Sequence, residues 1–88
     1  MEVTFDIEKD RKNRAKHGMS LADAAMFEWD TLRYEVDARR DYGEIRCRGY
    51  AFIEDRLYAI AFTFRDESIR VISLRKANNR EMDEYEQA

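Results

Sequence analysis

Basic side chains recur at three places along the chain, and their chemistry suits a partner that carries phosphate. Lys16 and His17 are adjacent, while Arg46 and Arg48 alternate along a strand-like segment. Arginine binds phosphate oxygens through two parallel hydrogen bonds, and histidine is the side chain whose ordinary pKa lies nearest neutral pH. A third group lies further along the sequence: Arg70, Arg75, Lys76 and Arg80. These residues are candidates for contacting phosphate and moving a proton.

The overall charge limits how such a surface would work. The chain has 88 residues with 16 Lys and Arg against 19 Asp and Glu, a net charge of −3. This balance excludes a polycation that coats nucleic acid through bulk charge, but it allows a basic groove on an acidic protein. Charged residues make up 40% of the chain, so chance clustering of bases is the alternative interpretation.

Length and composition exclude several other classes of protein. A length of 88 residues predicts a single domain spanning residues 1–88, and 44% hydrophobic residues predict a folded chain. The longest apolar run, Leu57 to Phe64, is too short to cross a bilayer, and the first residues lack a signal-peptide pattern. One cysteine and one histidine form neither an internal disulfide nor a metal-ligand set. We therefore expect no metal, no cofactor, no membrane contact and a cytoplasmic location.

Cap and turn signals indicate the elements that position these residues. Residues 3–5 predict a short strand, and Asp6 is a good N-cap for a helix that runs to about His17 and stops at Gly18. Ser20 then caps a second predicted helix. Four strands follow, at about residues 32–36, 44–54, 57–64 and 69–74, and a last helix runs from the cap at residue 78 through residue 86. The pattern predicts an α+β fold with two N-terminal helices on an antiparallel meander sheet and a C-terminal helix.

Alternation along the longest predicted strand separates two faces. One face carries Ile45, Cys47, Gly49, Ala51 and Ile53, and the other carries Arg46, Arg48, Tyr50, Phe52 and Glu54. In the next strand Tyr58, Ile60, Phe62 and Phe64 share a face. A sheet that is apolar on both sides must be covered by helices, by a partner chain, or by both.

Three ordered motifs resemble the BrnT family. They are Asp6-x-x-Lys9-x-x-x-Asn13-x-x-Lys16-His17-Gly18-x-Ser20, Asp41-Tyr42-Gly43-Glu44-x-Arg46, and Arg70-Val71-Ile72-Ser73-x-Arg75-x-Ala77-x-x-x-Glu81-x-x-x-Tyr85-Glu86. BrnT proteins are ribonuclease toxins of type II toxin–antitoxin systems with a RelE-like fold, neutralised by a DNA-binding antitoxin, BrnA. The resemblance implies a metal-independent endoribonuclease that inhibits translation. It also implies RNA as substrate and a heterotetramer with a BrnA-like antitoxin.

Metal-free RNA cleavage defines the roles that the motif positions would fill. The ribose 2′-OH attacks the adjacent phosphate, which needs a base, cations for the growing charge and an acid for the leaving oxygen. Matching the family's motifs assigns catalytic roles to His17, Arg46, Arg70 and Arg75. RNA-binding roles are assigned to Lys16, Arg48 and Arg80.

Each assignment has a structural alternative. His17 could simply cap a helix end, where the helix dipole favours the protonated form and would raise its pKa. Each arginine could be solvated or paired with a carboxylate, and Tyr42, Tyr50 and Phe52 could either stack on a base or pack against protein. Glu54 is a second candidate base. Glu81 and Tyr85 are expected to anchor the last helix, and Cys47 to lie in the core. For the whole chain, the alternative is a non-catalytic interaction module or an inactive toxin that still binds an antitoxin-like partner.

Overall fold

The computed structural model describes residues 1–88 as five strands, two α-helices and a short 3₁₀ helix. In chain order they are β1 (Glu2–Phe5), α1 (Ile7–His17), the 3₁₀ helix (Leu21–Met26), β2 (Glu28–Val36), β3 (Cys47–Ile53), β4 (Arg56–Arg65), β5 (Ser68–Lys76) and α2 (Asn79–Gln87). The strands form one sheet in the order β1-β5-β4-β3-β2. None of the helices has the length and apolar character that crossing a membrane requires.

The expected arrangement of two N-terminal helices on an antiparallel meander is wrong. The sheet is mixed, because β1 pairs in parallel with β5 while the other neighbouring strands are antiparallel. The chain has one N-terminal α-helix, since Leu21–Met26 forms a 3₁₀ helix of 6 residues. Leu21 and Ala24 are fully buried, and a 3₁₀ helix places residues i and i+3 on the same side. A short 3₁₀ helix is therefore enough to bury Leu21 and Ala24 before β2 begins.

Helix α1 has no apolar face and is held by polar side chains. Its buried residues are Asp10 and Asn13. Asp10 accepts hydrogen bonds from the Leu21 N–H at 2.7 Å and from the Ser20 hydroxyl at 3.0 Å, so it fixes the turn that follows the helix. The predicted caps are confirmed: the Asp6 side chain accepts from the Lys9 N–H, and Gly18 ends the helix with φ of 70°.

The hydrophobic core lies between the 3₁₀ helix and one side of the sheet, which we call the inner face. Its buried residues are Leu21, Ala24, Phe27, Cys47, Ala51, Ile60, Phe62, Ile69, Val71 and Leu74. Cys47 is therefore a core residue, as predicted. At one end of this face Phe64, Tyr34 and Val36 stay 47%, 52% and 59% exposed, because the 3₁₀ helix does not reach them.

The opposite side of the sheet, the outer face, has a floor of small side chains. Cross-strand partners share a face, so the register brings Ala59, Ala61 and Thr63 of β4 to the middle of this surface. Helix α2 lies across its end, and Arg33 of β2 donates to the Tyr85 carbonyl at the helix C-terminus at 2.8 Å. The floor beside α2 remains open to solvent-sized molecules.

Candidate active site

The outer face gathers most of the candidate residues from different strands. The register places Arg48 of β3 opposite Ala61, with Ser73 of β5 beyond it. One row along, Tyr50 lies opposite Ala59, with Arg75 beyond it. Because the β4 side chains between these strands are small, Arg48, Ser73 and Arg75 line one cavity of about 160 Å³. Two candidates from distant parts of the sequence, Arg48 and Arg75, therefore line the same cavity across the sheet.

Arg70 and Arg46 lie further along the same face. Arg70 pairs with Thr63 across β4 and β5, about four residues of β4 from the row of Arg75, or roughly 13 Å. Arg70 forms no salt bridge. Arg46 precedes β3, where its guanidinium contacts Glu44 at 3.2 Å and lies 4.4 Å from the centre of the Tyr42 ring. The face thus offers an unpaired arginine beside a fixed one.

Arg75 is held by a two-pronged ion pair with the first turn of α2. Its Nη1 and Nη2 lie 2.8 and 2.9 Å from the two carboxylate oxygens of Glu81. The Tyr50 hydroxyl donates to the same carboxylate at 3.0 Å, and the Asn78 N–H donates at 2.9 Å. The Arg75 hydrogen bonds lower the Glu81 pKa to about 2, although burial opposes them. Burial and the negative Glu81 raise the Tyr50 pKa.

His17 ends α1 and lies within the electrostatic range of Arg75. The imidazole is half-buried, and its pKa is lowered by burial first and then by the positive charges of Lys16 and Arg75. The pKa increase expected for a simple helix cap is therefore wrong, because desolvation and two nearby cations outweigh the helix dipole. Lys16 is exposed and forms no salt bridge, so its side chain is available to an anion next to the imidazole.

Arg48 and Arg80 stand at the rim of this surface. Arg48 contacts Glu35 at 3.3 Å, and Arg80 contacts Glu84 one helical turn away at 3.3 Å. Both pairs are largely exposed, so each arginine exchanges its carboxylate for another anion at little cost.

Comparison with known proteins identifies the family of the chain. The family model for the ribonuclease toxin BrnT of type II toxin–antitoxin systems matches residues 5–81. The chain belongs to the BrnT family. The crystal structure of the Brucella abortus ribonuclease toxin BrnT is similar, with a TM-score of 0.67 and 25% sequence identity over 90% of this chain and 99% of that one. Among curated protein sequences, none matches.

The chain therefore belongs to a family of ribonuclease toxins. Toxin–antitoxin function implies an antitoxin partner and an RNA substrate. Family membership also clarifies the motif that begins at Asp6. Within it, Asp10 and Asn13 are bound to backbone and side chains of the fold, whereas Lys16 and His17 reach solvent. The motif therefore combines residues that attach α1 with residues that stay accessible to solvent.

Several candidates lie outside this surface or already contact other side chains. Glu54 sits in the β3–β4 turn, about eight residues and roughly 26 Å along the strand from Arg46, so it is not a base for that group. Tyr42 lies between the guanidinium groups of Arg40 and Arg46. Phe52 packs edge-to-face on Tyr85 with ring centres 5.6 Å apart, which confirms its packing role.

Sequence reasoning missed two contacts within the candidate site. Glu81 was predicted to anchor the last helix, and it does, but its carboxylate also neutralises Arg75. Arg33 was not singled out, yet it holds the C-terminal end of α2 and stacks 4.3 Å above the Tyr85 ring. Alternation from Tyr34 could have assigned Arg33 to the outer face. Its contacts with α2, 52 and 55 residues away, have no local signal. No group of three or more His, Cys, Asp or Glu side chains is placed to hold a metal ion.

Proposed function

We propose that the chain is a metal-independent endoribonuclease toxin whose site is the outer face of the sheet around Arg75. The observation that carries this proposal is the placement of Arg48, Arg70 and Arg75 on one open face of the sheet, with His17 close enough to Arg75 for that charge to help lower its pKa. Arginine supplies positive charge to a phosphate without a metal ion. An imidazole that is neutral at pH 7 supplies a base.

His17 would begin the reaction by accepting the proton of a ribose 2′-OH. The oxygen of that hydroxyl then forms a bond to the adjacent phosphorus, and the bond from phosphorus to the 5′-oxygen breaks. The departing 5′-oxygen takes a proton from solvent water, which leaves a 2′,3′-cyclic phosphate and a 5′-hydroxyl. The lowered pKa of His17 favours the first step, since its neutral form is the one that accepts a proton.

The arginines would stabilise the negative charge that builds on the phosphate. Arg75 keeps donors beyond the two that it gives to Glu81, because a guanidinium has five N–H groups. Arg70 is unpaired and Arg46 is held in place by Glu44, so both suit phosphates along an extended strand. Lys16, Arg48 and Arg80 would bind the RNA backbone at the rim.

Inhibition of translation and neutralisation by a partner complete the proposal. We assign a BrnA-like DNA-binding antitoxin as the partner, in a heterotetramer that joins through the antitoxin. The exposed side chains Tyr34, Val36 and Phe64 give it an apolar surface. The fourth-strand aromatic face predicted for this role is mostly core, and only its Phe64 end is free.

RNA cleavage in excess chelator tests the enzymatic part. We expect 5′-labelled RNA to give products with 2′,3′-cyclic phosphate ends, identified by mass spectrometry. Arg70→Ala should slow cleavage by roughly 10²–10³, and Arg75→Ala by at least as much. Arg11→Ala is the matched control, because it removes one exposed arginine charge on α1 and should leave the rate unchanged.

Arg70→Ala is the sharper of the two variants. It breaks no ion pair, whereas Arg75→Ala leaves the Glu81 carboxylate without its partner and should also lower stability. Cleavage that requires an added metal ion would contradict metal independence. No cleavage under any condition would favour an inactive homologue that only binds its antitoxin.

A further inference from the structure

A groove beside the arginine cavity is large enough for a nucleobase. It lies between α2 and strands β2 and β3 on the outer face, with a volume of about 470 Å³, and we call it the α2 groove. Tyr50, Arg33 and the Gly49 backbone line it from the sheet side. It shares Arg48, Gly49, Tyr50 and Glu81 with the smaller cavity that contains Arg75. A nucleotide whose phosphate lies at Arg75 therefore has a pocket next to it.

The α2 groove carries charged side chains of both signs on its two walls. Helix α2 starts beside Arg75 of β5 and ends beside β2, where Arg33 holds its last carbonyls. Arg80 is thus nearer the arginine cavity, and Glu84 lies one turn nearer β2. On the sheet wall the order is the same, with Arg48 on β3 and Glu35 on β2. Each wall thus carries an arginine and, one position nearer β2, a carboxylate that it contacts at 3.3 Å, and Arg33 adds a positive charge at the β2 end.

We propose that the α2 groove binds the base of a nucleotide next to the scissile phosphate and selects guanine. This inference rests on the proposed ribonuclease function. Single-stranded RNA exposes the Watson–Crick edges of its bases to protein groups. Guanine alone presents two adjacent N–H donors on that edge, N1–H and N2–H, which match the two oxygens of one carboxylate. Adenine, cytosine and uracil each place a ring or carbonyl acceptor beside their donor, and a carboxylate repels that acceptor.

The two glutamates are exposed and only weakly held by their present partners. The side chains of Glu35 and Glu84 are 71% and 65% exposed, and each has a single ion pair at 3.3 Å. Such exposed pairs are worth little, so a base with better geometry displaces or shares them. The guanidinium of Arg33, stacked 4.3 Å above the Tyr85 ring, offers a flat surface in the same groove for the face of the base.

Cleavage-site mapping tests the proposal on an RNA that contains all sixteen dinucleotide steps. The wild type should favour steps with guanine on one defined side of the cut by roughly 5- to 150-fold, the range for one bidentate base contact. Glu35→Gln and Glu84→Gln, singly and together, should remove most of that preference. Glu86→Gln is the matched control: it removes the same charge from α2 outside the groove and should keep the preference.

A binding measurement separates this proposal from the ribonuclease function itself. The dissociation constants of guanosine, adenosine, cytidine and uridine 5′-monophosphates are measured by NMR titration, with Glu35→Gln and Glu84→Gln compared with Glu86→Gln. Guanosine monophosphate should bind tightest and lose its advantage only in the groove variants. Cleavage without a base preference, or a guanine preference that both groove variants keep, overturns the groove assignment. If the protein cuts no RNA, the ribonuclease proposal is wrong. The nucleotide affinities alone then test whether the α2 groove binds guanine.

Discussion

At the scale of single residues, the pKa of His17 is set by its surroundings. The end of a helix favours a protonated imidazole, but Lys16 and Arg75 add two positive charges and the ring is partly removed from water. Two cations and desolvation both favour the neutral form. Burial of the ring is the largest cause, and the arginine that would stabilise the phosphate adds to it, so the two proposed roles are coupled.

Replacing His17 should reveal this coupling in the pH profile of cleavage. In the wild type we expect kcat/KM to rise with pH through a midpoint below the ordinary histidine value of 6.5. His17→Gln should lower the rate by roughly 10²–10⁴ and abolish that rise. Lys16→Ala should shift the rise to higher pH, because one cation beside the imidazole is lost. Full, pH-independent cleavage by His17→Gln would remove His17 from the site.

The stability of the fold follows the same titration. Because the folded pKa of His17 lies below the unfolded value near 6.5, the unfolded chain binds the proton more tightly. The free energy of unfolding is then highest above pH 6.5 and falls as the pH drops from there to the folded pKa. The rate of cleavage and the free energy of unfolding should therefore both fall over the same pH interval.

Glu81 has the opposite sign, and its effect appears at lower pH. Its pKa falls from 4.5 to about 2, so its contribution to stability is present above pH 4.5 and is lost as the pH falls toward 2. Glu81→Gln should lower the free energy of unfolding at pH 7 by roughly 1–3 kcal/mol and flatten this acid limb. Glu84→Gln, which breaks an exposed pair on the same helix, is the control and should change little. Denaturant unfolding at pH 7 and pH 3 measures both, and equal acid limbs in wild type and Glu81→Gln would contradict the assignment.

At the scale of elements, Asn13 takes the place of a missing strand residue. β1 ends at Phe5, opposite Val71, so β5 loses its strand neighbour before it reaches Leu74. The Asn13 amide then donates to the Leu74 carbonyl at 2.9 Å and accepts from the Leu74 N–H at 3.0 Å. It also donates to the Met19 carbonyl at 3.0 Å. One side chain thus continues the ladder and attaches a helix that has no apolar face.

Asn13→Ala should therefore destabilise the fold by roughly 2–4 kcal/mol, since it leaves the buried N–H and carbonyl of Leu74 without partners. Alanine is the better helix former, so a loss of stability cannot come from helix propensity. Lys12→Ala, an exposed neighbour on the same helix, should stay within about 0.5 kcal/mol of wild type. Chemical denaturation compares the three proteins, and an unchanged midpoint for Asn13→Ala would show that α1 is held by other contacts.

Local signals predicted many of these elements and missed those that depend on distant partners. Neighbouring residues alone determine the caps at Asp6, Ser20 and Asn78 and the alternation of β3. The structure confirms these predictions. The 3₁₀ geometry of Leu21–Met26 depends on the Asp10 contact and on the sheet beneath it. The parallel pairing of β1 with β5 joins residues 66 positions apart, which no local pattern specifies.

At the scale of the whole molecule, the net charge is acidic, but basic side chains are concentrated on one face of the sheet. The chain carries −3 overall, yet the outer face concentrates arginines from β3, β5 and α2. The sequence identified Arg48, Arg75 and Arg80 as candidates, because clustering and motif positions are visible in one dimension. It could not indicate that Arg75 is bound to Glu81 and Arg48 to Glu35, since carboxylate pairing depends on how α2 and β2 are placed.

The pairing of the first strand with the last has a consequence for the order in which the protein is made. β1 leaves the ribosome first but finds its only strand partner in residues 68–71, and Arg70 and Arg75 belong to that same partner strand. Non-local pairing of this kind folds late, after the intervening chain is available. A nascent chain of any length short of β5 thus has neither the complete sheet nor Arg70 and Arg75, the two arginines proposed to bind phosphate. Translation can proceed through most of the message before the product is able to harm the cell that is making it.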